Sequence, residues 1–305
     1  MDERDRQDSA AHTSATAGRA GVRAVSLYVV ATPIGHLRDI TLRALDVLAS
    51  AAVVYAEDTR VSSALLAHHG IARRPRSLNA HNETARTGEV IGALARGEDV
   101  AIVTDAGTPA ISDPGARLVR AVRDAGHRVV PIPGPSAIVA ALSAAGLAAA
   151  QFHFAGFLPA KAGERDARLA ALARIDAAIV IYEAPHRIAD TVAALAAALD
   201  PARTLVVARE LTKAFETIAA MPVGEAPAWL AADPDRRRGE FVLIVDAPVS
   251  TDAPDAALGD ALRWIDALAP EMAPARAAHV VARMTGAPRD ALYAHALGRK
   301  RERAR

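Results

Sequence analysis

The segment of residues 104–115, TDAGTPAISDPG, combines carboxylates, glycines and prolines in a pattern that suits the binding of a small ligand. It contains neither G-x-G-x-x-G nor G-x-x-x-x-G-K-[ST], the two common phosphate-binding sequences. It offers Asp105 and Asp113 but no Lys or Arg before Arg117, and its prolines lack the N–H that a phosphate needs. The segment therefore favours a ligand with ammonium, hydroxyl or sulfonium groups. S-adenosylmethionine carries all three, together with an adenine that a small apolar pocket can hold.

Three more loops of similar composition occur in the first half of the chain. Each of the four follows a short apolar run that predicts a strand and precedes a helical pattern. Alternating strands and helices predict βαβ units and a largely parallel sheet, whose ligand chemistry gathers at the carboxyl ends of the strands. We therefore expect all four loops at one edge: TPIG (32–35), EDTR (57–60), TDAGTPAISDPG (104–115) and PGPS (133–136).

The second half of the chain repeats the α/β pattern and then changes character. Apolar runs predict strands at residues 152–157, 178–182, 204–208 and 241–245, with a helix over 188–199. Residues 221–238 are predicted to be loops around a short helix. We predict a disordered tail over 1–24, α/β domains over 25–146 and 147–246, a linker over 247–256 and a basic helical appendage over 257–305.

Composition and charge restrict the classes of protein and of partner. The chain has no cysteine, which excludes disulfides and thiolate metal sites and suits the cytoplasm. No apolar run approaches the roughly 20 residues of a membrane span, so no membrane partner is expected. The net charge is +1, but residues 257–305 carry nine Lys or Arg and five Asp or Glu. Two of their three helical runs flank a short glycine-containing turn, which is typical of helix-turn-helix units.

Eight motifs follow one another along the chain: LYVVATPIG (27–35), AEDTR (56–60), DAGTPAISDPG (105–115), PGPSA (133–137), FAGFLP (154–159), YEAPHR (182–187), ARELTK (208–213) and GEFVLIV (239–245). Taken in this order, they resemble the ribosomal RNA-modifying members of the tetrapyrrole methylase superfamily. The resemblance covers roughly residues 27–246, and the C-terminal helices are similar to a small domain that often follows. One departure is visible: the chain reads ATPIGHL where the family usually reads ATPIGNL, and we expect His36 to adjust a contact without abolishing activity.

This resemblance implies a homodimer of two-domain subunits, each with S-adenosylmethionine in the cleft between its domains and no metal. It also implies 2′-O-methylation of a decoding-centre cytidine in the 16S rRNA of the small ribosomal subunit. The expected cofactor-binding residues are Pro33, Ile34, Asp105, Gly107, Thr108, Pro109, Ile111, Ser112, Ser136, Ala137, Tyr182 and Glu183.

A ribose hydroxyl is a weak nucleophile, so a carboxylate that accepts its proton would assist methyl transfer. Cations in the same loops could hold RNA phosphates, and the basic C-terminal helices could add contacts to phosphate. The candidates for the acceptor are Glu57, Asp58, Glu183 and Glu210. The candidates for RNA binding are Arg60, Arg187, Arg209 and Lys213.

Two other functions remain open at this point. A methylase of precorrin or uroporphyrinogen would share the fold but would need room for a large polycarboxylate macrocycle. A non-catalytic regulator that binds nucleic acid through the helix-turn-helix-like end would bind no S-adenosylmethionine.

Overall fold

The computed structural model describes residues 24–147, 151–248, 254–268 and 271–303. The predicted disordered tail, apart from residue 24, lies outside these residues, as does the central part of the predicted linker. The elements of the first half are β1 (Ser26–Val30), α1 (Leu42–Ser50), β2 (Val53–Ala56), α2 (Thr59–His68), β3 (Arg76–Ser77), α3 (Glu83–Ala95), β4 (Val100–Val103), α4 (Ala116–Asp124), β5 (Arg128–Ile132) and α5 (Ala137–Ala145).

The first sheet is parallel, in the order β3-β2-β4-β1-β5. Its central strand β4 is a continuous buried apolar run, as expected when helices cover both faces of a parallel sheet. One face packs against α1 and α2 and the other against α3 and α4. The carboxyl ends of β1, β2, β4 and β5 therefore meet at one edge, where the four predicted loops lie.

The second sheet is mixed, in the order β6-β7-β10-β8-β9. Strands β6 and β7 are parallel, and the other neighbours are antiparallel. Helix α5 packs on one face through Ile138 and Ala141, so the end of the first α/β unit covers the second sheet. The elements are β6 (Phe152–Phe157), α6 (Ala162–Leu172), β7 (Ala178–Glu183), α7 (Ile188–Ala198), β8 (Thr204–Arg209), β9 (Thr217–Pro222), α8 (Ala226–Ala231) and β10 (Phe241–Val245).

Three C-terminal helices, α9 (Pro254–Leu268), α10 (Pro274–Thr285) and α11 (Arg289–Arg303), enclose a small core of their own. Gly286 ends α10 in the left-handed conformation, with φ 75°, and so makes the turn into α11. Asp266 of α9 ties the two outer helices together because its Oδ1 lies 2.9 Å from His295 Nε2 and accepts from Arg299 Nε at 2.8 Å.

The predicted fold class is confirmed: the structure has a parallel sheet, a mixed sheet and a C-terminal helical unit. Strands β3 and β9 and helix α6 were not predicted. Strand β3 has only two residues, β9 is an edge strand without a fully buried residue, and α6 carries several charged side chains. Nowhere in the part of the chain that the structure describes is a helix both long and apolar enough to cross a membrane.

Candidate functional site

A cleft of about 380 Å³ lies where the loops of the first sheet face the second sheet. We call it the central cleft. It is built from the loops at the carboxyl ends of β1, β2, β4 and β5 together with parts of β6, β7, β8 and β10. Its lining residues are Ile34, Glu57, Thr104, Asp105, Ala106, Gly107, Thr108, Ile111, Ser112, Asp113, Ser136, Ala137, Phe157, Tyr182, Glu183, Ala184, Pro185, Ala208, Leu211, Glu240, Phe241 and Val242.

The loop of residues 104–115 is fixed by backbone bonds to the loop after β1. Thr32 N donates to Gly107 O at 2.8 Å, Gly107 N returns a bond to Thr32 O at 3.0 Å, and Thr32 Oγ1 donates to Thr104 O at 3.0 Å. Gly107 has φ 86°, where a glycine avoids the strain of a side chain. Ala110 and Ser112 also have positive φ, at 68° and 65°, so the loop holds its shape against local backbone preference.

A buried carboxylate from helix α3 anchors the far end of the same loop. Glu83 Oε1 accepts from Gly115 N and from Leu118 N, each at 3.1 Å, and Glu83 is only 7% exposed. Helix α4 has no side-chain cap of its own, so Glu83 satisfies two of its first free N–H groups from 32 and 35 residues away in the chain. No local pattern indicated this contact.

Carboxylates dominate the polar lining of the central cleft. Thr104 Oγ1 donates to Glu57 Oε2 at 2.7 Å, and Asp105 Oδ1 accepts from Asp58 N at 2.9 Å. Burial raises the pKa of Asp113 to about 6, and the nearby Glu57 carboxylate adds to the rise. Burial also raises the pKa of Asp105. Because no Lys or Arg is among the lining residues that the structure describes, the cleft is suited to a cationic ligand and not to a phosphate.

Residues 26–227 match the family model described as Tetrapyrrole (Corrin/Porphyrin) Methylases. The chain belongs to the tetrapyrrole methylase family. Residues 255–300 match a second model, the RsmI C-terminal HTH domain. The family recognised from the eight motifs is therefore confirmed.

Curated relatives extend the likeness over most of the chain. A Pseudomonas aeruginosa protein named Ribosomal RNA small subunit methyltransferase I is 46% identical over 275 residues, which cover 90% of this chain and 98% of that protein. An Escherichia coli O157:H7 protein of the same name is 47% identical over 272 residues, covering 89% of this chain and 94% of its own.

Solved structures of other family members share the fold. The uroporphyrin-III-C-methyltransferase of Thermus thermophilus has a TM-score of 0.54 at 24% identity and covers 72% of this chain and 94% of its own. The methyltransferase CobJ has a TM-score of 0.56 at 22% identity, with coverage of 73% and 94%. At this level of identity the likeness concerns the fold alone.

Ten of the twelve residues predicted to bind a cofactor in this methylase line the central cleft. Pro33 and Pro109 belong to the same loops but are not among the lining residues. The structure adds Asp113, which the motif-based selection left out although it lies in the same loop. The ten are Ile34, Asp105, Gly107, Thr108, Ile111, Ser112, Ser136, Ala137, Tyr182 and Glu183.

Glu183, predicted both as a cofactor ligand and as a proton acceptor, is held by its neighbours. Its Oε2 accepts from Thr191 Oγ1 at 2.6 Å, and its Oε1 accepts from Ala184 N at 2.9 Å. Arg187 Nε lies 3.2 Å from Oε1, and the Glu183 side chain is fully buried. Because both oxygens are engaged, this geometry suits a structural anchor better than a proton acceptor.

Asp58 and Glu210, two further predicted acceptors, are paired with cations and do not line the cleft. The hydrogen bond from Arg60 lowers the pKa of Asp58 to about 2. Burial opposes a fall in the pKa of Glu210, but the hydrogen bonds from Lys213 and from Glu240 N outweigh it. Both groups are therefore weak bases. Of the two predicted acceptors that line the cleft, Glu57 has fewer side-chain contacts than Glu183.

The four predicted RNA-binding cations differ in how accessible they are. The Arg60 side chain is 89% exposed despite its pair with Asp58. The Arg187 side chain is 20% exposed and donates to Leu158 O as well as contacting Glu183. Arg209 donates to Arg238 O and Phe215 O, and Lys213 bridges two glutamates. Arg60 is thus the one of these four whose position best suits contact with a large substrate.

The loop after β1 also contacts the second half of the chain. His36 N donates to Thr212 Oγ1 at 3.1 Å. A Cβ on Gly35 would lie 2.5 Å from Lys213 Cγ and 2.7 Å from Thr212 Oγ1, so the approach requires glycine. The His36 ring caps the short turn that follows, because its Nδ1 accepts from Arg38 N at 3.3 Å. His36 thus takes a capping role for which asparagine is a preferred residue.

Proposed function

We propose that the protein transfers a methyl group from S-adenosylmethionine to the ribose 2′-OH of a cytidine in 16S rRNA, within the small ribosomal subunit. The observation that carries the proposal is the likeness to two proteins named Ribosomal RNA small subunit methyltransferase I, at 46–47% identity over 89–90% of this chain. The motif loops covered by this likeness are the ones that form the central cleft.

The residues of the central cleft fit S-adenosylmethionine. A volume of about 380 Å³ lies within the range of small-ligand sites. Ile34, Ala137, Leu211 and Val242 offer an apolar surface for the adenine ring. The carboxylates of the lining provide acceptors for ammonium and ribose hydroxyl groups. When bound, the cofactor supplies a methyl group on a cationic sulfur, which leaves as a neutral thioether.

We assign the role of proton acceptor to Asp113, and Glu57 lines the cleft near it. A raised pKa makes Asp113 a stronger base than an ordinary carboxylate, and it is still largely ionised at neutral pH. Thr104 Oγ1 fixes the orientation of Glu57, and its hydroxyl also interacts with Asp113. The O–H proton of the ribose thus moves to a carboxylate oxygen of Asp113 as the oxygen gains the methyl group.

RNA phosphates require cations outside this acidic cleft, and Arg60 is the most exposed of the predicted set. The basic helices α10 and α11 provide further cations for RNA phosphates in the C-terminal unit.

A homodimer belongs to the proposal as well. Helix α5 supports it through Val139, an apolar side chain that is 62% exposed away from the buried residues Ile138 and Ala141 and that a second subunit would cover. Light scattering would then give twice the chain mass of 31.8 kDa.

The deciding experiment incubates the purified protein with methyl-labelled S-adenosylmethionine and small ribosomal subunits from a strain that lacks the modification. Nuclease digestion and mass spectrometry should find 2′-O-methylcytidine in 16S rRNA. Methyl transfer to uroporphyrinogen III but not to ribosomal subunits would instead establish a tetrapyrrole methyltransferase. Failure of calorimetry to detect S-adenosylmethionine binding, together with RNA binding, would establish a non-catalytic regulator.

A further inference from the structure

Three aromatic rings form a row that ends at the mouth of the central cleft. The ring centroids of Phe154 and Tyr182 lie 4.9 Å apart, and those of Tyr182 and Phe157 lie 5.7 Å apart, both in edge-to-face geometry. Phe154 and Tyr182 are partly buried against α5, whereas Phe157 is 53% exposed and lines the cleft. The row therefore begins in the core beside α5 and ends at an exposed ring that lines the cleft.

The position of Phe157 depends on an irregularity in β6. Side chains three residues apart point to opposite faces of a regular strand, so Phe157 would face away from Phe154 and share the side of Ala155. The pairing of β6 with β7 instead shifts by one residue between Phe154 and Gly156. Gly156 has φ 68°, which permits this bulge. The bulge brings Phe157 to the face of Phe154 and Tyr182, beside the cleft.

The surroundings of Phe157 point to a ligand that enters from outside. The exposed half of the Phe157 ring faces the central cleft, so a ligand that covers it would gain the free energy of burying that apolar surface. The side chain of Ser112, from the carboxylate-bearing loop, lies close to the position of a Cβ on Gly156, at 3.6 Å. Phe157 therefore stands where that loop meets the second sheet, on the path of a substrate that must reach Asp113.

We propose that the Phe157 ring stacks on the nucleobase of the RNA nucleotide whose ribose is methylated. The inference rests on the proposed function and names how that substrate is held. Bases that are displaced from a helix or a loop are commonly recognised by stacking on an aromatic side chain. Stacking on Phe157 positions the ribose of the same nucleotide over the acidic floor of the cleft, while hydrogen bonds from other groups select the base.

Phe157→Ala should raise the KM for small ribosomal subunits by about 10-fold or more, in line with the loss of one stacked base. Phe157→Tyr and Phe157→Trp keep a stacking face and should stay within a few-fold of the unaltered protein. Phe157→Leu keeps apolar bulk without that face and should resemble the alanine variant. The dissociation constant of S-adenosylmethionine, the oligomeric state and the melting temperature should not change in any of these variants.

Phe152→Ala is the matched control, since Phe152 lies on the same strand with the same 53% exposure but does not line the cleft. It should leave the KM unchanged. A direct readout does not need catalysis: a short single-stranded RNA with a fluorescent cytosine analogue should be quenched by the unaltered protein and by Phe152→Ala, but not by Phe157→Ala.

Three results would overturn the inference. An unchanged KM together with unchanged quenching in Phe157→Ala would mean that no base stacks there. If Phe157→Ala weakened S-adenosylmethionine binding as much as it raised the KM for subunits, the ring would contact the adenine of the cofactor instead. Dissociation of a dimer in Phe157→Ala would assign it to a subunit interface. Absence of 2′-O-methylation by the unaltered protein, with analogue quenching that still depends on Phe157, would refute the proposed reaction and retain the stacking site.

Discussion

Asp113 differs from an ordinary carboxyl group because burial raises its pKa to about 6. If its ionised form accepts the ribose proton, kcat/KM should rise with pH up to about 6 and then level off. Asp113→Asn should lower kcat by about 100-fold or more and remove this dependence. Single-turnover assays between pH 5 and 8 test both. Asp124→Asn on the surface of α4 is the control, and an unaltered pH profile in Asp113→Asn would return the role to Glu57.

Asp113 should also make the free energy of unfolding depend on pH: stability should fall over the pH range in which kcat/KM rises. Since the pKa of Asp113 is raised above its ordinary 3.8, the ionised form is disfavoured in the folded protein. The favourable effect of its protonated form is complete below pH 3.8 and is lost as the pH rises through about 6. Asp113→Asn should therefore stabilise the protein at pH 8 by about 1 kcal/mol, after allowance for partial exposure. Urea titrations should show this gain shrinking towards pH 4, and a gain independent of pH would contradict it.

Arg187 and Arg60 should separate structural from RNA-binding cations. Arg187→Ala leaves the buried Glu183 carboxylate without its cation and should destabilise the fold by about 3 kcal/mol or more. Arg60→Ala should leave the melting temperature unchanged, raise the KM for subunits and reduce the salt dependence of binding by about one phosphate contact. Denaturation curves and KM values at several salt concentrations distinguish the two. If Arg187→Ala weakened RNA binding as much as Arg60→Ala does and left stability unchanged, Arg187 would be an RNA ligand after all.

Helix α4 and the loop before it depend on a side chain from helix α3. Glu83→Ala leaves Gly115 N and Leu118 N without their acceptor and should cost about 3 kcal/mol of stability. Because the loop that carries Asp113 loses its anchor, the affinity for S-adenosylmethionine should fall as well. Glu83→Gln retains a carbonyl oxygen and should lose less.

Urea denaturation and calorimetry measure these two effects. Asp124→Ala, which removes an exposed carboxylate at the end of α4, should change neither stability nor affinity appreciably. Full cofactor affinity in a clearly destabilised Glu83→Ala protein would show that the anchor serves the fold and not the cleft.

The C-terminal helices and the turns between them form a core of their own, and none of the residues described there lines the central cleft. A chain that ends after residue 248 keeps β10 and the bond from Arg203 to Asp246 O, so it should fold. It should bind S-adenosylmethionine with unchanged affinity but methylate small subunits poorly, because phosphate contacts are lost. Calorimetry and subunit methylation at physiological salt test the two statements.

Either of two outcomes would revise this division of the molecule. Full methylation by the shortened chain would make helices α9–α11 dispensable for RNA. Loss of cofactor binding would show that they support the α/β core or a dimer, and that the boundary predicted at residues 247–256 is misplaced.

The amino-acid sequence by itself determined the family, the eight main strands and the loops that form the cleft. Strands β6 and β10 have the predicted bounds because continuous apolar runs between turn residues define them locally. Edge strand β9 was missed since its pairing, and not its composition, makes it a strand. Loops at the carboxyl ends of parallel strands meet for topological reasons, which is why motifs far apart in the chain predicted one cleft.

Only the tertiary structure decided what each charged or aromatic side chain can do. Glu183 and Asp113 are both acidic residues in motif loops, yet neighbours occupy the oxygens of Glu183 while burial raises the pKa of Asp113. Glu83 acquires its role from backbone groups more than 30 residues away, and Phe157 faces the cleft because a bulge turns it there. Such properties depend on burial and long-range contacts, which the local order of residues does not contain.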